Sequence, residues 1–277
     1  MIYYKLMHLA SKFKNRFFLL EEISRLRKNS VLEKDSASAL FRMVLKSPSN
    51  AEDWIPLHRF LSHLDPLILV DIGANVGNFA FDYASTLPLK HAYLFEPVPV
   101  TFDILQRRLV DAPFASTAMN KAVSQIPGTI EFNLFDDPTL NSRHSYISEL
   151  TDSGERPAPV GCVQINSAPI ADEDIDQSGD LFLKIDVQGM EVDVVKACSP
   201  ILHRCAAVLV EASFLPEYKQ EPPSFAAVTS WLYQYNLDPV FFHEYGDKNS
   251  LYAVERDVLF LRRDLLARAF DASLLAE

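Results

Sequence analysis

Glycine is scarce in this chain, with eight residues in 277. That excludes a glycine-rich linker or tract, and where two glycines fall close together a backbone requirement is expected. Cysteine is scarcer still: Cys162, Cys198 and Cys205 are the only three. An odd number without zinc-ligand spacing excludes a disulfide framework and points to buried, reduced thiols and a cytoplasmic setting. Positive charge is also short. Lys and Arg number 26 against 37 Asp and Glu, giving a net charge of −11 and a pI near 5.1. Nucleic acid is thereby excluded as a partner, because a basic surface is needed to displace phosphate counterions. Long apolar runs are missing too. No stretch reaches the roughly eighteen residues of a membrane-spanning helix. The start, "MIYYKLMHLASKFKNRFF", lacks the apolar core and small-residue cleavage site of a secretion signal.

The chain has a hydrophobic content of 48% and a mean hydropathy of +0.01, enough for one large core. Residues 1–66 are expected to form an N-terminal helical cap. Within it, Leu6, Leu9, Phe13, Phe17 and Leu20 recur at helical steps among Lys5, Lys12, Lys14, Arg16, Arg25, Arg27 and Lys28. That helix either packs as a lid on the domain or makes a peripheral contact with a membrane surface or partner. From Leu67 to residue 263 the pattern changes. Short apolar runs (Leu67–Ile72, Ala92–Phe95, Leu181–Ile185, Ala207–Val210) alternate with helix-length segments (Asn78–Thr86, Val100–Val110, Met190–Ala197). This is the signature of an α/β fold with a doubly wound, mostly parallel sheet. Near the end, "PVFFHEY" and "VLFLRR" have no helix between them, which predicts an antiparallel hairpin at the sheet's edge. Residues 135–160 read as a loop or insert, and 264–277 as a helical tail.

Two of the eight glycines sit in "LVDIGANVGNF", where a strand runs into Asp71, Gly73, Asn75 and Gly77. Ligands of open α/β sheets bind outside the carboxyl ends of strands, where strand order reverses. Gly73 leaves the backbone free to approach a ligand, and Gly77 permits close approach of the following helix. A dinucleotide loop seats a pyrophosphate with G-x-G-x-x-G. Here the spacing is G-A-N-V-G and an aspartate leads in, which opposes an anion and suits a cofactor carrying a sulfonium and an ammonium. S-adenosyl-L-methionine is such a cofactor. The next strand, "AYLFEPVP", ends in Glu96, nineteen residues beyond Gly77, where a carboxylate accepts ribose hydroxyls.

The segment "FLKIDVQGMEVDVVKAC" repeats the design: strand, Asp186, Gly189, then a helix with Glu191 in its first turn. Lys184 shares a strand face with Asp186. A buried lysine needs a carboxylate partner, or else it touches the acceptor. "AAVLVEASF" adds Glu211 at the same rim. An aliphatic hydroxyl needs a base to become a methyl acceptor; Asp186 is the first candidate and Glu211 the second. His144 and His243 lie in segments expected near that rim, and Phe214 and Tyr218 are candidates for lining an acceptor pocket or for core. The acidic runs at Asp136–Asp137 and Asp172–Asp176 read as solvated faces, and no metal is expected.

"VDIGANVGNF", "LFEPVP", "NKAVSQIPGTIEF", "LFLKIDVQGME" and "VLVEASF" occur in that order. Together they resemble the FkbM family of S-adenosylmethionine-dependent methyltransferases over residues 67–263. The resemblance implies a class I methyltransferase fold with a seven-stranded sheet, and O-methylation of a sugar, glycan or polyketide-type hydroxyl. It also implies a methionine loop at Asp71, Gly73, Asn75 and Gly77, ribose binding at Glu96, adenine beside Asn120 and Ala122, and Asp186 near the transferred methyl. Gln188 departs from the family, which usually has an acid there. Two readings of other classes stay open at this level: a nicotinamide-dependent oxidoreductase, opposed by the glycine spacing, and a non-catalytic cofactor-binding module.

Overall fold

A computed structural model describes residues 67–84, 89–134, 159–171, 174–176, 178–215, 222–242 and 255–265. The elements in chain order begin with β1 (Leu67–Ile72), α1 (Asn78–Ala84), β2 (Leu89–Phe95), α2 (Pro99–Leu109) and β3 (Ser116–Met119). Three strands, β4 (Ala122–Val123), β5 (Gly128–Leu134) and β6 (Gly161–Ala168), follow. The rest are β7 (Asp180–Ile185), α3 (Glu191–Ala197), α4 (Ser199–Leu202), β8 (Cys205–Ser213), α5 (Phe225–Tyr233), β9 (Leu237–Phe242) and β10 (Glu255–Arg262). The expected cap at 1–66 and most of the tail at 264–277 lie outside the described residues, as do His144, Tyr218 and His243.

Every residue of β1 is buried, as an apolar run in the middle of a covered parallel sheet should be. The seven-stranded sheet has the order β3-β2-β1-β7-β8-β10-β9. β1 pairs in parallel with β2 and with β7, β2 with β3, and β7 with β8. Strand order reverses between β1 and β7, so the carboxyl ends of these two strands frame the switch point. β10 is antiparallel to both β8 and β9. The hairpin is therefore at the edge, as the sequence predicts, with β9 outermost; Pro239 is tolerated in that outer strand.

The two faces of β1 feed two cores. Leu67 and Leu69 pack with Ala80 of α1 and with Phe102 and Leu105 of α2. Ile68, Val70 and Ile72 pack with α3, α4 and α5 through Val194, Ile201, Val228 and Leu232. α2 starts with Pro99, whose fixed φ suits a first helical turn, and ends with Arg107 and Arg108 at its negative pole. Among the described residues, no helix is long and apolar enough to cross a membrane.

The sequence reading does not anticipate a second, three-stranded sheet of order β4-β6-β5. β5 and β6 run antiparallel, from Gly128 opposite Ser167 to Leu134 opposite Gly161. Phe132 and Ile165 join the core on the same face as Ile72 and Val194. Ala122 and Val123 of β4 thereby become a wall beside the switch point.

Candidate active site

The loop after β1 is built on backbone conformations that few residues adopt. Gly73 has φ +78° and Gly77 φ +85°, and Asn75 between them lies at φ +50°. A Cβ at Gly73 would stand 1.8 Å from the backbone oxygen of Asp186. The touching of the β1 and β7 loops thus requires a glycine at this position. A Cβ at Gly77 would meet Leu105 at 2.8 Å. The tightest approach is therefore that of α2, with Phe81 of the following helix α1 in contact at 3.6 Å. The Gly73 and Ala74 N–H groups both donate to the Phe95 carbonyl at 3.0 Å, fastening the loop to the end of β2.

Glu96, the residue after β2, closes this fastening. One carboxylate oxygen accepts the Asn75 N–H at 2.9 Å and the other accepts the Val98 N–H at 2.8 Å. The side chain is buried. Burial pushes its carboxyl up to about 7 against the opposing pull of the Val98 and Asn75 N–H groups. Each carboxylate oxygen has a second lone-pair direction, which leaves Glu96 able to accept two further hydrogen bonds.

Deeper in the sheet, Asp71 on β1 and Lys184 on β7 are directly paired across the strands. Asp71 is fully buried, and the ammonium nitrogen of Lys184 lies 3.3 Å from its Oδ1. Among the described residues this ion pair is the contact that answers the Asp71 carboxylate, and no further hydrogen bond reaches its two oxygens. Burial raises the Asp71 pKa, with Lys184 opposing. Lys184 Nζ donates to Asp186 Oδ2 at 3.1 Å and to the Gly73 carbonyl at 3.4 Å, and sits 5.4 Å from the Phe79 ring. Burial works against this ammonium, but the charges of Asp186 and Asp71 outweigh it and drive its pKa upward. Lys184 is therefore paired with both carboxylates.

At the rim, Gln188 has φ +52° and Gly189 φ +95°. The Gln188 amide nitrogen donates to Glu211 Oε2 at 2.7 Å and reaches Asp186 Oδ1 at 3.4 Å. Glu191 accepts the Gly189 N–H at 2.7 Å and holds the turn into α3.

A cavity of about 360 Å³ opens between these elements. Its apolar wall includes Ile72, Phe95, Ala122, Val123, Phe132 and Met190, and its acids are Glu96, Asp186, Glu211 and Glu255, with Lys121 as a cation. Of the residues singled out in the sequence, Gly73, Asn75, Glu96, Ala122, Asp186, Gln188 and Glu211 line it. Asp71, Gly77, Lys184 and Asn120 do not. Asn120 is exposed, and its amide donates to the Glu96 and Pro97 carbonyls, both at 2.9 Å. Lys121 and Glu255 escaped the sequence reading.

The match to known proteins decides the family. Residues 71–248 match the family model described as the methyltransferase FkbM domain. The chain belongs to the FkbM methyltransferase family. The fold is accordingly the class I methyltransferase one expected from the sequence. A curated relative, Methyltransferase sdnD of Sordaria araneosa, is 25% identical over 154 residues, which cover 46% of this chain and 59% of that protein. The crystal structure of Methyltransferase FkbM from Methylobacillus flagellatus matches with a TM-score of 0.47 and 15% identity, covering 88% of this chain and 58% of that one. Precorrin-6y C5,15-methyltransferase from Geobacter metallireducens matches at 0.40 and 11% identity, covering 78% of this chain and 90% of that one. This FkbM-family chain thus spans under two thirds of the length of the first two.

The donor set fits the family's cofactor. An apolar slot beside β4 suits an adenine, Glu96 keeps lone pairs for two ribose hydroxyls, and the acids around the slot suit a cofactor with cationic sulfur and nitrogen. The cavity size falls within the range of small-molecule sites.

Proposed function

We propose that this FkbM-family chain is an S-adenosyl-L-methionine-dependent O-methyltransferase whose acceptor is a hydroxyl on a sugar, glycan or polyketide-type small molecule. One observation carries the proposal: among the described residues, four carboxylates and a single lysine line the apolar slot at the sheet's switch point. A pyrophosphate would be repelled there, so the arrangement speaks against a nicotinamide dinucleotide. The family match and the methyltransferase name of the S. araneosa relative support the same reading.

When bound, the cofactor supplies an activated methyl group on a positively charged sulfur. Glu96 accepts the ribose hydroxyls, and the glycine loop from Gly73 to Gly77 holds the Asn75 N–H against it. Asp186 accepts the proton of the acceptor hydroxyl, with Glu211 beside it as the second acid. Lys184 orients Asp186 from behind and, being buried and doubly paired, takes no proton itself. Positioning and desolvation supply most of the catalysis in such a displacement. The acceptor side is expected to face the small-molecule pool of the cytoplasm.

The test is incubation with methyl-labelled cofactor and a panel of sugars, glycans and polyketide alcohols, read by mass spectrometry. Label appearing as a methyl ether on a hydroxyl, with S-adenosylhomocysteine released in equal amount, is the expected result. A chain that binds the cofactor yet labels no acceptor of the panel would favour the binding-module reading. Stabilisation by NAD and not by S-adenosylhomocysteine, each at a hundred times its dissociation constant, would favour the oxidoreductase; a true ligand adds roughly 2.7 kcal/mol there.

A further inference from the structure

Gln188 stands where the resemblance leads one to expect an acid, and its geometry shows what an amide does there. A residue with a Cβ is held in the left-handed region, at φ +52°, which needs compensation from its surroundings. Compensation is visible on both sides: the amide nitrogen donates to Glu211 at 2.7 Å and reaches Asp186 at 3.4 Å, while Glu191 accepts the next N–H. Asp186 is meanwhile held on its other oxygen by Lys184. Two carboxylates from neighbouring strands are thus drawn to one nitrogen. Without a donor between them, close carboxylates lower their repulsion by sharing a proton.

We propose that Gln188 is a positioning residue: its amide nitrogen ties Asp186 and Glu211 together beside the cavity and takes the place of a proton shared between them. The use of the pair as acceptor-side acids rests on the methyl-transfer reading; the tie itself does not. Other charges face the pair. Lys184 and Asp71 stand behind Asp186 from β7 and β1. Asp257 lies opposite Glu211 on β10, and Glu255, Glu96 and Lys121 line the same cavity. Glu191 approaches from α3.

Replacing Gln188 by Glu removes the donor and adds a third carboxylate in nearly the same volume. The folded variant then retains a proton at pH values where the unfolded chain has released it, so its stability falls as pH rises. Thermal unfolding of the full chain, with no cofactor added, is followed from pH 5.5 to 8.5. The Tm deficit of Gln188→Glu relative to wild type is expected to widen by about 3–6 °C across that range. The double variant Gln188→Glu with Glu211→Gln restores one amide between the acids, and its deficit is expected to stay flat. A single-variant deficit that is the same at every pH overturns the proposal, as does a double variant that widens equally. If Gln188→Glu does not fold at all, folding of the double variant with a flat profile supports the tie, and its failure to fold counts against it. Neither cofactor nor acceptor enters this measurement. Its failure leaves the methyl-transfer reading standing, and failure of methyl transfer leaves the tie standing.

Discussion

Glu96 is buried, holds the glycine loop with both carboxylate oxygens, and has its carboxyl pushed up to about 7 from an ordinary 4.5. Two consequences can be measured on one group. In the free protein the folded state holds a proton on Glu96 between pH 4.5 and 7 that the unfolded chain has already lost. Stability therefore falls as pH rises through that window, by about 3 kcal/mol in all for this group. Cofactor binding runs the other way. Ribose hydroxyls donate to an ionised carboxylate, so affinity should rise as Glu96 loses its proton. At pH 5.5 about 3% of the group is ionised and at pH 8 nearly all of it, giving S-adenosylhomocysteine about 30-fold tighter binding at the upper pH. Isothermal titration calorimetry at half-unit steps measures this directly. Glu96→Gln removes the titrating group, so its affinity should be about tenfold or more weaker at pH 8 and nearly independent of pH. Affinity of the wild type that is flat from pH 5.5 to 8.5, or a variant that keeps the wild-type slope, would show that Glu96 does not meet the ligand.

Gly73→Ala should be among the most damaging single substitutions, because its Cβ would meet the Asp186 carbonyl oxygen at 1.8 Å and φ is +78°. A loss of at least about 3 kcal/mol by denaturant unfolding is expected, against nearly none for Gly161→Ala, where nothing lies within 4 Å; equal effects would refute the close packing of the two loops. Lys184→Met leaves the buried Asp71 without its cation and should cost about 3–5 kcal/mol, with partial recovery when Asp71→Asn is added. Absence of recovery would mean that the lysine acts through packing alone. Asp186→Asn should reduce methyl transfer by about 100-fold or more while S-adenosylhomocysteine affinity changes little; unchanged turnover would place the base elsewhere.

How far the sequence could be read depended on how each segment is buried. β1, β7 and β8 announce themselves because both faces are covered and their residues form apolar runs broken only by the charged Asp71, Asp180, Lys184 and Glu211. β2 starts three residues earlier than its apolar run, at Leu89, since Lys90 and His91 sit on its partly solvated end. β5 and β6 bury alternate residues only, Ile130 and Phe132 against Val163 and Ile165. Their pairing partners are separated by the long segment between them, so neither strand signals the other. The site shows the same limit. Glu96, Asp186 and Glu211 were legible because they follow or end parallel strands whose carboxyl edge is the ligand rim. Glu255 was not, because β10 is antiparallel and brings its amino end to that rim. Lys121 hides beside Asn120, which spends its amide on two backbone carbonyls while the lysine lines the cavity. The link from Gln188 to both acids joins β7 to β8 across the sheet, and no local pattern encodes it.

The decisive measurement is a crystal structure of the full chain with S-adenosylhomocysteine. The ligand is expected in the cavity between β1 and β7, with both ribose hydroxyls on the Glu96 carboxylate, the adenine against Ala122, and the sulfur toward Asp186. A ligand bound elsewhere, or lying in that cavity with its ribose turned away from Glu96, would contradict this placement.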